Sequence, residues 1–88
     1  MEKVIIDFYG DGCGNCKALE GIMKQLEAEH PDIKFEKINI KDADDLVKQY
    51  GVTQLPTLVF LRDGVMADKM AGLKPKVLIA KKIAEVFA

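Results

Sequence analysis

Two cysteines stand three positions apart near the start of the chain, in "DFYGDGCGNCK" (Asp7 to Lys17). Cys13 and Cys16 are the only cysteines, and three of the seven glycines surround them. Two thiols at this spacing suit three uses: a structural staple, half of a metal site, or a reaction centre. As a staple the pair is poor. A Cys13–Cys16 bridge closes a very small loop, so it removes little entropy from the unfolded chain. As a zinc site it needs two further ligands. The only histidine, His30, lies at the far end of the following helical stretch, about 20 Å away at 1.5 Å per residue. No metal is expected within one chain; a site shared by two copies, each giving a cysteine pair, is the non-enzymatic alternative.

The reaction-centre reading follows from where the pair falls. "KVIIDFY" (Lys3–Tyr9) is a β-branched and aromatic run that reads as a central strand covered on both faces. From Gly14 to Glu29 the period becomes helical, with Cys16, Leu19, Ile22, Met23 and Leu26 on one face. The cysteines therefore sit where the strand hands over to the helix. Backbone N–H groups there lack partners and the helix dipole is positive. A thiolate that accepts those N–H bonds is acidified. Cys13 stands at the mouth and Cys16 one turn further in, on the apolar face. Cys13 is thus the expected attacking thiol and Cys16 the resolving one in thiol–disulfide exchange. Asp7 is an acid inside an apolar run; burial raises its proton affinity and makes it the candidate proton acceptor. Lys37, expected in the neighbouring strand, is placed to tune it.

The elements that must position these groups follow in order. His30-Pro31-Asp32 ends the first helix, because proline disfavours helical geometry in the residue before it. "KFEKINI" (Lys34–Ile40) alternates as a strand, with Phe35, Ile38 and Ile40 directed to the core. "DADDLVKQYG" reads as a short helix with Asp42 as N-cap and Gly51 at its end. "TLVFLR" (Thr57–Arg62) and "VMADKM" (Val65–Met70) flank Asp63-Gly64, a two-residue hairpin signal. Pro75 opens a last helix at its first position, with Ile79, Ile83, Val86 and Phe87 as its buried stripe. Met23, Met66 and Met70 read as core filler. The lysines at 74, 76, 81 and 82 read as a solvated helix face. The order β-α-β-α-β-β-α predicts an α/β fold: a three-layer α/β/α sandwich on a four-stranded mixed sheet, its first two strands parallel through a right-handed crossover.

Composition narrows the function classes. Eighty-eight residues are one domain's worth, 1–88. A net charge of −1 offers no basic footprint for nucleic acid or an anionic membrane. "MEKVIIDFYG" does not read as a signal peptide, and no run approaches the ~18 apolar residues of a membrane span. The expected location is cytoplasmic and the expected state a monomer. The glycine-rich loop fails as a phosphate cradle. A dinucleotide fingerprint needs glycine where Asn15 stands, and a P-loop needs Gly-Lys-Ser/Thr.

The chain resembles the thioredoxin family in several segments together. "IIDFYGDGCGNCK" is similar to the family's active-site segment, where a strand carrying an acid runs into Cys-Gly-x-Cys-Lys. "KFEKINI" resembles the strand that carries a lysine near that acid. "YGVTQLPTLVFLRDG" is similar to the segment with Tyr-Gly-Val, Pro-Thr and Asp/Asn-Gly. The resemblance implies a protein disulfide oxidoreductase that reduces disulfide-bearing protein substrates, needs no cofactor beyond its redox-active cysteines, and takes electrons from a flavoprotein reductase. It implies a cis Leu55–Pro56 bond facing the cysteines, backbone pairing of substrate at Leu55, and close approach of substrate at Gly72. Gly12, Gly14 and Asn15 join Leu55, Pro56 and Gly72 as implied substrate contacts. Three departures stand out. The family's extra first strand and helix do not precede Lys3. Gly12 replaces the Trp that forms part of the docking surface. Asn15 replaces the usual Pro between the cysteines, a residue that influences redox poise. The loop Gly10-Asp11-Gly12 is expected to be unusually mobile. A glutaredoxin-like, glutathione-dependent enzyme is the nearest rival. The Gln54-Leu55-Pro56-Thr57 segment and the absence of Gly-Gly plus acids near Gly72 disfavour it.

Overall fold

The structure, a computed structural model, describes residues Met1–Ala88. Its elements are β1 (Lys3–Tyr9), α1 (Gly14–Glu29), β2 (Lys34–Asn39), a 3-10 turn (Ile40–Asp42), α2 (Asp44–Gln49), β3 (Thr57–Arg62), β4 (Val65–Ala71) and α3 (Lys76–Val86). The four strands form one mixed sheet in the order β2-β1-β3-β4. β1 runs parallel to β2 and antiparallel to β3; β3 and β4 are antiparallel. No helix is long and apolar enough to cross a membrane.

The alternation of β1 explains the three layers. Ile5 points to one face and packs with Leu19, Met23 and Leu26 of α1 and Ile79 and Ile83 of α3. Val4, Ile6 and Phe8 point to the other and pack with Tyr50 at the end of α2. Successive side chains of a strand take opposite faces, so one apolar run supplies two cores. Asp7 shares the Ile5 face, beneath α1.

Several local details differ from expectation, each for a visible reason. β2 stops at Asn39. The Asn39 carboxamide oxygen accepts the Lys41 N–H at 3.1 Å and starts a 3-10 turn that takes in Ile40. That turn also consumes Asp42. Ala43 becomes the residue before α2 and makes no side-chain cap, so Asp42 is not the N-cap. Asp44 and Asp45 still lie in the first turn, where their charge complements the helix dipole. The end of α2 is closed from outside, since Lys69 of β4 donates to the Tyr50 and Gly51 carbonyls at 3.1 and 2.8 Å. Pro75 sits one position earlier than expected, as the capping residue of α3 rather than its first helical one. Met66 is 40% exposed rather than core, because it lies beside the hairpin tip on the edge strand. The lysines of α3 are not all free, for Lys76 pairs with Glu29 and Lys82 with Asp68.

The Asp63-Gly64 hairpin forms as expected. Both residues have positive φ, 51° and 82°, the pattern of a type I′ turn. Phe60 and Ile79 are fully buried on the α1–α3 side, and Val77 is exposed. Phe60→Ala is therefore expected to lower the unfolding free energy by about 3–5 kcal/mol. Val77→Ala changes it by less than about 0.5 kcal/mol. Urea titration of the two variants checks the contrast, and equal losses would contradict this core.

Candidate active site

The end of β1 becomes the start of α1 through Gly10-Asp11-Gly12-Cys13. Cys13 is the capping residue of α1, with extended backbone, and its Sγ accepts the Cys16 N–H at 3.2 Å. Cys13 and Cys16 are joined as a disulfide, with Cα atoms 5.3 Å apart. Cys13 is partly exposed; Cys16 is only 4% exposed and lies on the buried stripe of the helix. Gly14 and Asn15, between them, face solvent.

The loop that carries Cys13 is anchored rather than free. The Asp11 carboxylate accepts from Asn39 Nδ2 at 3.0 Å and from Lys41 Nζ at 2.9 Å. These bonds, with the neighbouring Lys41 charge, hold the Asp11 carboxyl below its ordinary range. Gly10 packs on Leu55, and a Cβ at Gly10 would fall 2.7 Å from Leu55 Cδ1. Gly12 has φ +70° and open space around it. Its backbone lies in the left-handed region that glycine favours, so a side chain there is opposed by the backbone rather than by crowding.

The second half of the site comes from the turn before β3. Leu55–Pro56 is cis. Thr57 Oγ1 donates to the Gln54 carbonyl at 2.7 Å and closes the turn. Gly72 N–H donates to the Pro56 carbonyl at 2.7 Å, so Gly72 stands beside the proline at the end of β4. Gly72 has φ +88°. The N–H and C=O of Leu55 make no hydrogen bond within the chain. The Gly10–Leu55 contact brings this turn against the cysteine loop.

Asp7 lies under the helix, 6% exposed, and its Oδ1 has no hydrogen-bond partner. Burial is the main effect on its carboxyl. The nearby Lys37 charge opposes it, Glu20 adds to it, and the pKa stands at about 6. Lys37 is directly opposite Asp7 in the β1–β2 register, as the sequence suggests. Its ammonium, however, bonds Glu20 Oε1 at 2.6 Å and lies 4.6 Å from the centre of the Tyr9 ring. Asp11, Glu20 and Asn39 are the site residues that sequence reasoning passes over. Glu20 alone left a signal there: it falls one helical turn after Cys16. His30 caps the far end of α1, and no group of three His, Cys, Asp or Glu residues that could hold a metal ion forms.

The raised carboxyl of Asp7 has a stability consequence. A folded-state value above the ordinary 3.8 means the folded chain binds the proton more tightly than the unfolded one. Stability from this group is then fully present below about pH 4 and is lost as pH rises through about 6. A change from 3.8 to about 6 corresponds to about 3 kcal/mol. Asp7→Asn is expected to stabilise the chain by about 1–3 kcal/mol at about pH 8 and to have no such advantage below about pH 4. Urea titrations across pH check this, and a gain independent of pH would contradict it.

Comparison with known proteins agrees with this geometry. The thioredoxin family model matches residues 1–85. A thioredoxin of Chlamydia caviae is 42% identical over 73 residues, covering 83% of this chain and 72% of that one. Thioredoxin-1 of Caenorhabditis elegans is 36% identical over 88 residues, covering 99% of this chain and 76% of that one. Among solved structures, oxidized mitochondrial thioredoxin 3 of Saccharomyces cerevisiae superposes with a TM-score of 0.89 at 32% identity, covering 96% of this chain and 78% of that one. The match spans the cysteine loop, the cis-proline turn and every element between, so the chain belongs to the thioredoxin family and is a thiol–disulfide oxidoreductase.

Proposed function

We propose that this chain reduces protein disulfides with Cys13 as nucleophile, Cys16 as resolving thiol and Asp7 as the proton acceptor of Cys16. The observation that carries the reading is the inequality of the two sulfurs. Cys13 caps α1 at the surface and its sulfur accepts a backbone N–H, whereas Cys16 is buried on the same helix. An N–H donor and the helix dipole favour a thiolate at Cys13. Cys16, among apolar neighbours, keeps its proton until a base removes it.

The Cys13 thiolate attacks one sulfur of the substrate disulfide; that S–S bond breaks, and the released substrate sulfur leaves as a thiolate that takes a proton from solvent. A Cys13–substrate disulfide now holds the complex. Asp7, in its ionised form, takes the proton of Cys16. The Cys16 thiolate attacks Cys13 Sγ, the Cys13–substrate bond breaks, and the second substrate sulfur leaves. Two electrons pass from the cysteine pair to the substrate, and the Cys13–Cys16 disulfide forms. The free N–H and C=O of Leu55 are suited to pairing with an extended substrate chain. Gly72, beside Pro56, lets that chain come close.

Thioredoxins in general act on disulfide-bearing proteins, are returned to the dithiol by a reductase, and need no cofactor. For this chain we propose a flavoprotein reductase as that donor, a role in electron transport, action as a monomer of one domain spanning 1–88, and a cytoplasmic location. The family resemblance supports the reductase donor and the electron-transport role.

Single-cysteine variants test the roles. Cys16→Ser should trap a stable mixed disulfide through Cys13 with a disulfide-bearing protein, seen on a non-reducing gel. Cys13→Ser should trap little, because Cys16 is buried. Equal trapping by both variants, or trapping by Cys13→Ser alone, overturns the assignment.

A further inference from the structure

A cleft of about 260 Å³ opens between α1 and β2, and Asp7 lies within its lining. α1 contributes Glu20, Lys24 and Glu27 to this cleft; β2 contributes Glu36 and Lys37. β3 places Leu58 opposite Asp7 and adds no charge. Lys37 is the cation best placed for Asp7, since the parallel register sets the two residues side by side. Yet no ion pair joins them. Lys37 Nζ is held 2.6 Å from Glu20 Oε1 and rests over the Tyr9 ring, while Asp7 Oδ1 stays buried without a partner. A lysine beside a buried, unpaired carboxyl normally turns toward it, because a desolvated charge without a counter-ion is costly. Here a second carboxylate, one helical turn beyond Cys16, holds the ammonium at the rim.

We propose that Glu20 is a positioning residue of the exchange reaction: by holding the Lys37 ammonium at the mouth of the cleft, it keeps that cation from pairing directly with Asp7 and so sets the pH at which Asp7 takes the Cys16 proton. The inference deepens the reading above and rests on Asp7 being that acceptor. Two effects of Glu20 act in one direction. Its own negative charge disfavours a second charge at Asp7, and its bond to Lys37 diverts the cation that would favour one. Lys24, Glu27 and Glu36 also face the cleft, but none of them pairs with Lys37. The Glu20–Lys37 pair is half exposed on both sides, so its contribution to folding is small and its removal leaves the core intact.

The experiment is titration of the Asp7 carboxyl carbon by NMR in the disulfide form of the unmodified chain, Glu20→Gln, Lys37→Met and the double variant. Glu20→Gln should lower the Asp7 midpoint by about one pH unit, since Lys37 is released to pair with it. Lys37→Met should raise the midpoint. In the Lys37→Met background, the shift from Glu20→Gln should fall below about half its size, because the cation it diverts is gone. An unmoved midpoint in Glu20→Gln overturns the proposal, and so does an equal shift in both backgrounds, which assigns the effect to the charge of Glu20 alone. The pH profile of mixed-disulfide release supplies the second readout. Its midpoint should move with that of Asp7 in Glu20→Gln. If the carboxyl titration moves and the release profile does not, the acceptor role of Asp7 fails and the catalytic consequence fails with it, while the placement of Lys37 stands.

Discussion

A carboxyl group buried without a full set of partners is expensive, and Asp7 is such a group at the centre of this fold. Three polar side chains are buried here: Asp7, Asn39 and Thr57. Asn39 and Thr57 are satisfied, by Asp11 and Lys41 N–H in one case and by the Gln54 carbonyl in the other. Asp7 Oδ1 is not. The strand that carries it is flanked by β2 and β3, so the acid is held at the floor of the cleft between α1 and β2 rather than at the surface. The surrounding apolar packing offsets that cost.

The same handover from strand to helix separates the two sulfurs. The first residue of the pair caps the helix and meets the backbone donor; the second, one turn in, joins the core stripe. The loop before them is held by two contacts of different kinds. Asp11 is bonded to the end of β2, and Gly10 lies flush against Leu55 of the cis-proline turn. The two halves of the site are therefore in direct register. Gly12, where the family's usual Trp would stand, has a left-handed backbone. Loss of the large side chain and the local turn go together, and the neighbourhood of Cys13 is left open.

Charge placement in the cleft matters more by where it points than by its strength. An exposed lysine–glutamate pair contributes little to folding. The same pair decides whether a cation sits 2.6 Å from Glu20 or beside a buried acid. Near a desolvated group that difference is large, because the interior screens charge poorly. A small surface interaction can thus set the working range of a buried one.

Much of this was legible in the chain itself. Cys13 and Cys16 at the strand–helix junction, the acid within "KVIIDFY", the Asp63-Gly64 turn and the two-faced β1 all follow from local rules: spacing, periodicity and turn chemistry act over a few residues. The expected core position of Met66 failed because edge exposure depends on which strands pair, while the expected cap at Asp42 failed locally, because Asn39 caps a 3-10 turn that periodicity alone does not reveal. The Asp11–Asn39–Lys41 anchor and the Gly10–Leu55 contact join segments about 30 to 45 residues apart, and no local pattern encodes them. Glu20 is the clearest case. Its helical spacing from Cys16 was visible, and so was a lysine in the next strand. The sequence by itself determined the chemistry, because reactive groups and their periodicity are local. Only the tertiary structure decided which carboxylate takes the lysine, because two acids competed for one cation and the outcome depended on burial and register rather than on residue type.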